Sequence, residues 1–523
     1  MASQGAGARA RGATWKAMRW TARLTRGQVV QMVGGPARAR VVVLFGCVLA
    51  LSSADTATIG AVAPQLESAM KISNTEIGLL SSVSLLVGAI FVLPVGMLVD
   101  RSKRIPLLSA SIVLWSVASL ASAFAASYST LLLTRLALGA VAATAGPAIA
   151  SLTGDYFPAR ERGGVYSYIL AGEIAGTAIG FLICGSLANL ISWRAAFVML
   201  AIPGFFLARS LWRTVPEPRR GGQSRLHPGA ESFEQPPPGE FEWEDPAGSS
   251  EPQDADLAHE AAQRHGVLPD QRRVLRRNPR ELNMRAAIRY VLSVPTNVLL
   301  IVSSALGYFF LSGLQTFVVV FVEGHYNVGY ASVTLVLVLL VVSSLIGTLI
   351  SGRVTDAMLR SGVLEARLWI PALCYFGAAA LLVPGILASK LSTGLWFDVG
   401  GATLIAAANP PLDAARLDIM PSGLWGQAES TRTFLRSIAQ ALAPLLFGGV
   451  SDLIAGIFPV QAPVGTHPAP ISPSVANGLE VSFMIMLAAL VAAGVFLLRA
   501  RHSYPTDVAT AGAYDPEPAT RVI

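Results

Sequence analysis

Three ionisable residues interrupt apolar stretches long enough to cross a bilayer as helices: Asp55, Arg135 and Glu173. A charge in hydrocarbon costs at least ~2.5–3.5 kcal/mol on insertion scales, so each is expected to face a cavity or a partner. At ~1.5 Å per residue, Asp55 lies ~22 Å from the start of its span, and Arg135 lies ~9 Å from the start of an oppositely directed one. In a ~30 Å core those depths nearly coincide, which predicts that the two can meet. A carboxylate held by Arg stays ionised; once the Arg is drawn away, a carboxylate left in a dry site takes up a proton. That exchange is the chemistry of proton coupling, and a permanent structural ion pair is the alternative. Glu173, in AGEIAG near mid-depth of its span, reads either as a second proton site or as a static hydrogen-bonding group between helices.

A second pattern occurs twice, each time at the end of an apolar run. Residues 96–104 read GMLVDRSKR and residues 352–360 read GRVTDAMLR. Gly96, Asp100 and Arg104 thus repeat as Gly352, Asp356 and Arg360, with Arg101 following the first aspartate. Glycine at a helix end lets a neighbour approach closely. The aspartate can then accept from the N-terminus of that neighbour, or pair with an arginine of the same turn. A wet ion pair costs little to break and remake. Two such turns are therefore expected to act as a gate between matched halves, the alternative being ordinary loop charges.

These residues need a scaffold of spans. The chain has 523 residues, 53% hydrophobic and 14% charged, against about 25% charged in soluble domains. Twelve spans are predicted, near 40–62, 77–99, 106–126, 129–152, 164–188, 194–212, 295–322, 331–352, 368–388, 395–412, 431–455 and 478–498. The fold class is therefore all-α integral membrane, with two six-helix bundles at 40–212 and 291–498. An even number of spans puts both termini on one side. The loops on that side carry Arg101, Lys103, Arg160, Arg162, Arg353, Arg367, Arg416 and Arg432, against Lys71, Arg194 and Lys390 on the other. Both termini are therefore expected in the cytoplasm. The tail 1–39 is basic and is followed by a full-length span, so it does not read as a cleavable signal. The net charge of +7 is first a topology signal, and no nucleic-acid partner is expected.

The segment 213–290 contains PPPGEFEWEDPAGSSEP and reads as a disordered linker, as does the tail 499–523. Its arginine-rich end allows an amphipathic helix over 281–293 on an anionic leaflet. Cys47, Cys184 and Cys374 read as small buried hydrophobes. The six histidines lie in loops and tails without partners, so no metal site, cofactor or catalytic constellation is expected. No phosphate-binding loop is present, which excludes an ATP-driven pump of that type. Tyr308, Gln315 and Arg436 are candidates for solute contact in the second half. Phe309, Phe310 and Phe317 read as packing residues, and Asp413, Arg416 and Asp418 as gate residues. Pro94, Pro147 and Pro444 read as kinks, with Pro147 helping the fourth span to bend.

GMLVDRSKR resembles the loop signature between the second and third helices of the major facilitator superfamily. Arg135 with Gly139, GEIAGTAIGFLICG (172–185) and SWRAAFVMLAIPG (192–204) are similar to its fourth helix, its fifth helix and the start of its sixth. ISNTEIGLLSSVSLLVGAIFVLPVGMLVDR, GRVTDAMLRSGVLEARLWI and RTFLRSIAQALAPLLFGGVSD resemble the Spinster branch. The resemblance implies a central cavity that opens alternately to each side and is lined by the first, fourth, seventh and tenth helices. It also implies proton-coupled transport of a small, amphiphilic or lipid-like organic solute across the cytoplasmic membrane. The chain departs from the Spinster pattern at Thr56, where that branch has Arg, and at Ala142, where it has Glu. Glu173 is a candidate replacement for the missing carboxylate. A receptor or scaffold that retains the fold without transport is the alternative from another class.

Overall fold

The structure is a computed structural model and describes residues 35–157, 162–218, 254–275, 284–421, 424–458 and 472–513. The N-terminal tail, the acidic part of the linker and its arginine-rich stretch before residue 284 lie outside the described residues. Among the described residues there are twelve helices long and apolar enough to cross a membrane, and no strand.

The first half comprises α1 (Pro36–Met70), α2 (Asn74–Arg101), α3 (Arg104–Ala123), α4 (Tyr128–Ala142) with α5 (Ala145–Tyr156), α6 (Arg162–Ile179) with α7 (Gly185–Leu190), and α8 (Trp193–Thr214). The connecting segment contributes α9 (Asp254–Arg264) and α10 (Met284–Ser293). The second half comprises α11 (Pro295–Tyr326), α12 (Tyr330–Arg360), α13 (Ala366–Ile386), α14 (Leu391–Ala407) with α15 (Asn409–Asp418), α16 (Trp425–Ile457) and α17 (Pro473–Ala500); α18 (Tyr504–Gly512) follows. The start of α1 and the end of α17 lie on one side, termed here the terminal end; the opposite side is the far end.

Both halves break their fourth member. α4 gives way to α5 at Ala143–Thr144, just before Pro147, and α14 gives way to α15 at Ala408, just before Pro410 and Pro411. Proline lacks the amide that would continue the helix, so such breaks are local consequences of sequence. Pro444 within α16 acts similarly on Gln440, whose carbonyl instead accepts from the Ser312 hydroxyl of α11 at 2.9 Å.

Small residues set the closest approaches. Gly172, Gly176 and Gly180 recur every fourth residue, and a Cβ at each would collide with the Gly46, Ala50 and Ala54 carbonyls of α1. Without a hydrophobic drive between helices in lipid, this close van der Waals contact is what holds them together. Between the halves, Gly78 packs on the Pro444 carbonyl, Gly448 on that of Asn74, and Gly60 on that of Gln315. The hydrogen bonds that join the halves lie toward the far end. Asp452 accepts from the Asn74 and Thr75 amides at 3.2 and 2.7 Å, the Asn74 side chain donates to Ser451 at 3.0 Å, and the Tyr330 hydroxyl donates to the Phe181 carbonyl at 3.1 Å.

The structure corrects three expectations. The connecting segment is not uniformly structureless: α9 buries Ala258, Ala261 and Ala262, and α18 after the last span buries Tyr504 and Val508. Apolar residues on one face of each helix supply the packing. The Asp270 amide donates to Thr510 at 2.9 Å and Arg273 reaches Asp507 at 3.3 Å, which ties the segment to the tail. Helix α10 forms within the expected 281–293 and buries Ala287 and Val291. Cys184 and Cys374 are buried, but Cys47 is exposed because it lies off the Gly46–Ala50–Ala54 stripe.

Gly176→Val is expected to lower stability by ~1–3 kcal/mol through overpacking against Ala50. Gly146→Ala, where a Cβ meets nothing, is expected to be neutral or slightly stabilising. Thermal unfolding of the purified variants in detergent checks both.

Candidate functional site

Asp55 and Arg135 meet. Nη1 of Arg135 donates to both carboxylate oxygens at 3.1 and 3.0 Å, Nη2 donates to the Ser122 hydroxyl at 2.8 Å, and the guanidinium lies 4.8 Å from the Phe197 ring centre. The two are 4% and 1% exposed. The pair is thus enclosed by α1, α3, α4 and α8 inside the first half. A buried pair of this kind stands only while both partners remain, because removing one strands the other charge.

A second set of charges sits nearer the terminal end. Tyr308 of α11, Arg436 of α16 and Glu173 of α6 each lie 11–13 residues from the start of their helix. At ~1.5 Å per residue they share a level ~17–20 Å deep. The Arg436 guanidinium lies 4.4 Å from the Tyr308 ring centre, and its Nε is buried without a hydrogen-bond partner. Glu173 is exposed and within electrostatic reach of Arg436 across the divide between the halves. Gly172 and Gly176 face α1, and this turns Glu173 out of the packed stripe. Gln315 is half-buried where its own backbone meets Gly60, so it lies at the junction of the halves above this level.

Around Arg436 runs a network of paired charges. Arg432 donates to Asp413 at 2.6 Å and to Glu429 at 2.9 Å, and Arg416 bridges the same two carboxylates. Burial pushes the Glu429 carboxyl up, but Arg416 and Arg432 outweigh it and hold the group below its ordinary range. A depressed value means that the pairing contributes stability at neutral pH and loses it as pH falls through that value.

The gate turns are only partly described. The side chains of Gly96, Asp100, Asp356 and Arg360 lie outside the described residues. Arg101 is exposed, and a Cβ on Gly352 would meet nothing, so no neighbour approaches there. Arg104 is instead a buried clamp. It pairs with Asp155 and, at 3.0 Å, with Glu217, while donating to the Ser151 hydroxyl and the Pro218 carbonyl at 3.0 Å each. Its counterpart in the second half is Arg367 rather than Arg360. Arg367 donates to both oxygens of Asp418 at 2.8 and 2.7 Å, and Tyr504 donates to the same carboxylate. In both clamps arginine and aspartate are 51 residues apart. The motif repeat misaligns them because α12 runs on to Arg360, which places the start of α13 six residues, and its clamp arginine seven residues, later than the repeat implies. Asp155, Glu217 and Asp452 were not singled out from the sequence. The repeated 51-residue spacing was the available signal for Asp155, and no pattern pointed to Asp452.

The profile of the Major Facilitator Superfamily matches residues 45–444. The chain belongs to this superfamily. Members similar to it include the uncharacterized transporter YybO of Bacillus subtilis, 26% identical over 177 residues that cover 34% of this chain and 41% of that protein. The 4-hydroxybenzoate transporter PcaK of Pseudomonas aeruginosa is 30% identical over 186 residues, 35% of this chain and 41% of the relative. The probable anion transporter 3 of Arabidopsis thaliana, a chloroplastic protein, is 31% identical over 172 residues, 32% of this chain and 33% of the relative. Each match thus spans less than half of the relative's length. In fold, the chain is similar to a bacterial homolog of the human lysosomal transporter Spinster in an inward-facing, unoccupied conformation. That likeness has a TM-score of 0.70 at 19% identity and covers 90% of this chain and 98% of that one.

Arg367→Met, which strands Asp418, is expected to cost ~3–5 kcal/mol, and adding Asp418→Leu to recover most of it. Thermal unfolding of the single and double variants checks this. As pH falls below about 4.5, the ordinary carboxyl value, and through the depressed one, wild-type stability is expected to fall more steeply than that of Glu429→Gln.

Proposed function

We propose that this member of the superfamily is a secondary transporter that moves a small organic solute by alternating access and is coupled to protons. The observation that carries the proposal is an asymmetry. The halves are hydrogen-bonded toward the far end, while Glu173, Tyr308 and Arg436 confront one another across the divide nearer the terminal end. A fixed contact at one end and facing charges below it suit a carrier open to one side. The fold's similarity to an inward-facing structure supports the same posture. The arginines in the terminal-end loops favour that side, and both termini, in the cytoplasm of a cell whose cytoplasmic membrane holds the protein.

In this reading Arg104 and Arg367 brace each half, while the gate turns around Asp100 and Asp356 meet only when the terminal end closes. Asp55 with Arg135 forms a protected ion pair that releases its carboxylate for protonation when the first half flexes at Ala143–Thr144. Glu173 is the more accessible proton site, since it is exposed and faces a cation. The named relatives, carriers of anions or aromatic acids by their descriptions, agree with a small organic solute.

Purified protein in vesicles with an imposed pH gradient, offered a panel of small organic acids, amines and neutral solutes, tests the proposal. Gradient-dependent solute movement with accompanying proton flux is expected. Vesicles in which neither solute nor protons move contradict it. Glu173→Gln is expected to flatten the pH dependence of transport, and an unchanged profile would remove Glu173 from the coupling path.

A further inference from the structure

The mid-depth charges do not balance within the second half. Three guanidinium groups, Arg416, Arg432 and Arg436, gather around two carboxylates, Asp413 and Glu429. That leaves one positive charge in excess. Both carboxylates are taken by Arg416 and Arg432, so the excess resides on Arg436. Among the described residues no carboxylate forms an ion pair with Arg436. It lies 4.4 Å from the Tyr308 ring centre and within electrostatic reach of Glu429 and, across the divide, of Glu173, without an ion pair to either.

Three other buried cations are committed. Arg135 is held by Asp55 and Ser122, Arg104 by Asp155 and Glu217, and Arg367 by Asp418. A guanidinium in a low-dielectric setting with unfilled donors favours a carboxylate, which it can bind through paired, charge-assisted hydrogen bonds. The Tyr308 ring covers one face of the group and fixes its plane, so recognition falls to the edge.

We infer that Arg436, seated on Tyr308, is the anchor for the carboxylate of a monoanionic organic solute. This rests on the carrier reading above and names the class of solute for that site. One excess charge suits one carboxylate. A second carboxylate on the same solute would have to shed its water with no free cation to receive it, so dianions are disfavoured. Glu173 is the resident anion across the divide, and the solute's carboxylate takes over its role as counter-charge to Arg436. Arg135 is excluded as the anchor because Asp55 and Ser122 occupy its terminal nitrogens and it is 1% exposed.

The test is binding, measured apart from transport. Purified protein is titrated with benzoate, with its neutral isostere benzamide and with the dianion phthalate, and followed by thermal shift and calorimetry at constant ionic strength. Benzoate is expected to stabilise the protein saturably, and benzamide and phthalate to do so little or not at all. Arg436→Gln is expected to raise the Kd for benzoate roughly tenfold or more, the loss typical of a charged hydrogen bond. Arg436→Lys keeps the charge and is expected to retain weakened binding, and it serves as the reporter if Arg436→Gln does not fold. Equal responses to benzoate and benzamide, tighter binding of phthalate, no response to benzoate, or full benzoate affinity in Arg436→Gln would each overturn the assignment. Binding of amines or neutral solutes with gradient-driven transport of them would overturn it too, while leaving the carrier reading intact. Absence of all solute and proton movement in vesicles would instead defeat the carrier reading.

Discussion

Asp452 is a side chain of the second half, yet it caps the first helix turn of α2 in the first half, accepting from the Asn74 and Thr75 amides and from the Thr75 hydroxyl. The first amides of a helix have no partner within it, and a carboxylate at that position answers both their hydrogen-bonding need and the helix dipole. Around this contact Gly78 and Gly448 bring backbone to backbone with nothing between. The posture of the whole molecule depends on that arrangement. It fastens the two halves to each other at the far end.

Each half is by contrast tied together from within. The Gly172–Gly176–Gly180 stripe locks α6 to α1, and the Arg104 and Arg367 clamps tie the third, fourth and following members of each half together. The clamps are charged but buried, so they hold shape rather than switch. This separates two settings of the same residue types: enclosed pairs that keep a half intact, and groups such as Glu173 and Arg436 that face each other between the halves.

The spans were legible because a run of about twenty apolar residues matches the hydrocarbon thickness of a bilayer and is poorly suited to water. The bend of the fourth span followed from Pro147, whereas the break of the tenth span before Pro410 and Pro411 was not read from the sequence. The meeting of Asp55 and Arg135 could be read from depth alone, since two opposed helices place residues at a common level by arithmetic. Their enclosure could not, because it depends on Ser122 and Phe197, which look like any other residues of an apolar helix. The repeated turn lies at the ends of α2 and α12, but it matched Arg104 with Arg360, since a sequence repeat cannot show that α12 extends beyond its counterpart. The far-end cap was invisible: Asp452 sits 377 residues from Thr75, and only the assembled fold brings them together. Helices α9 and α18 were missed because short alanine-bearing segments owe their order to the surface they dock on.

The central physical claim is that the two halves rock against each other, so that the far-end contact parts as the terminal end closes. Distances measured by electron spin resonance between labels at Lys103 and Ser361, exposed at the terminal end, and between labels at Ala126 and Ser392, exposed at the far end, bear on it directly. In lipid, with and without a bound solute, the two distances are expected to change in opposite directions, one shortening as the other lengthens. A single unchanging distribution at both ends, or both distances lengthening together, would contradict this rocking.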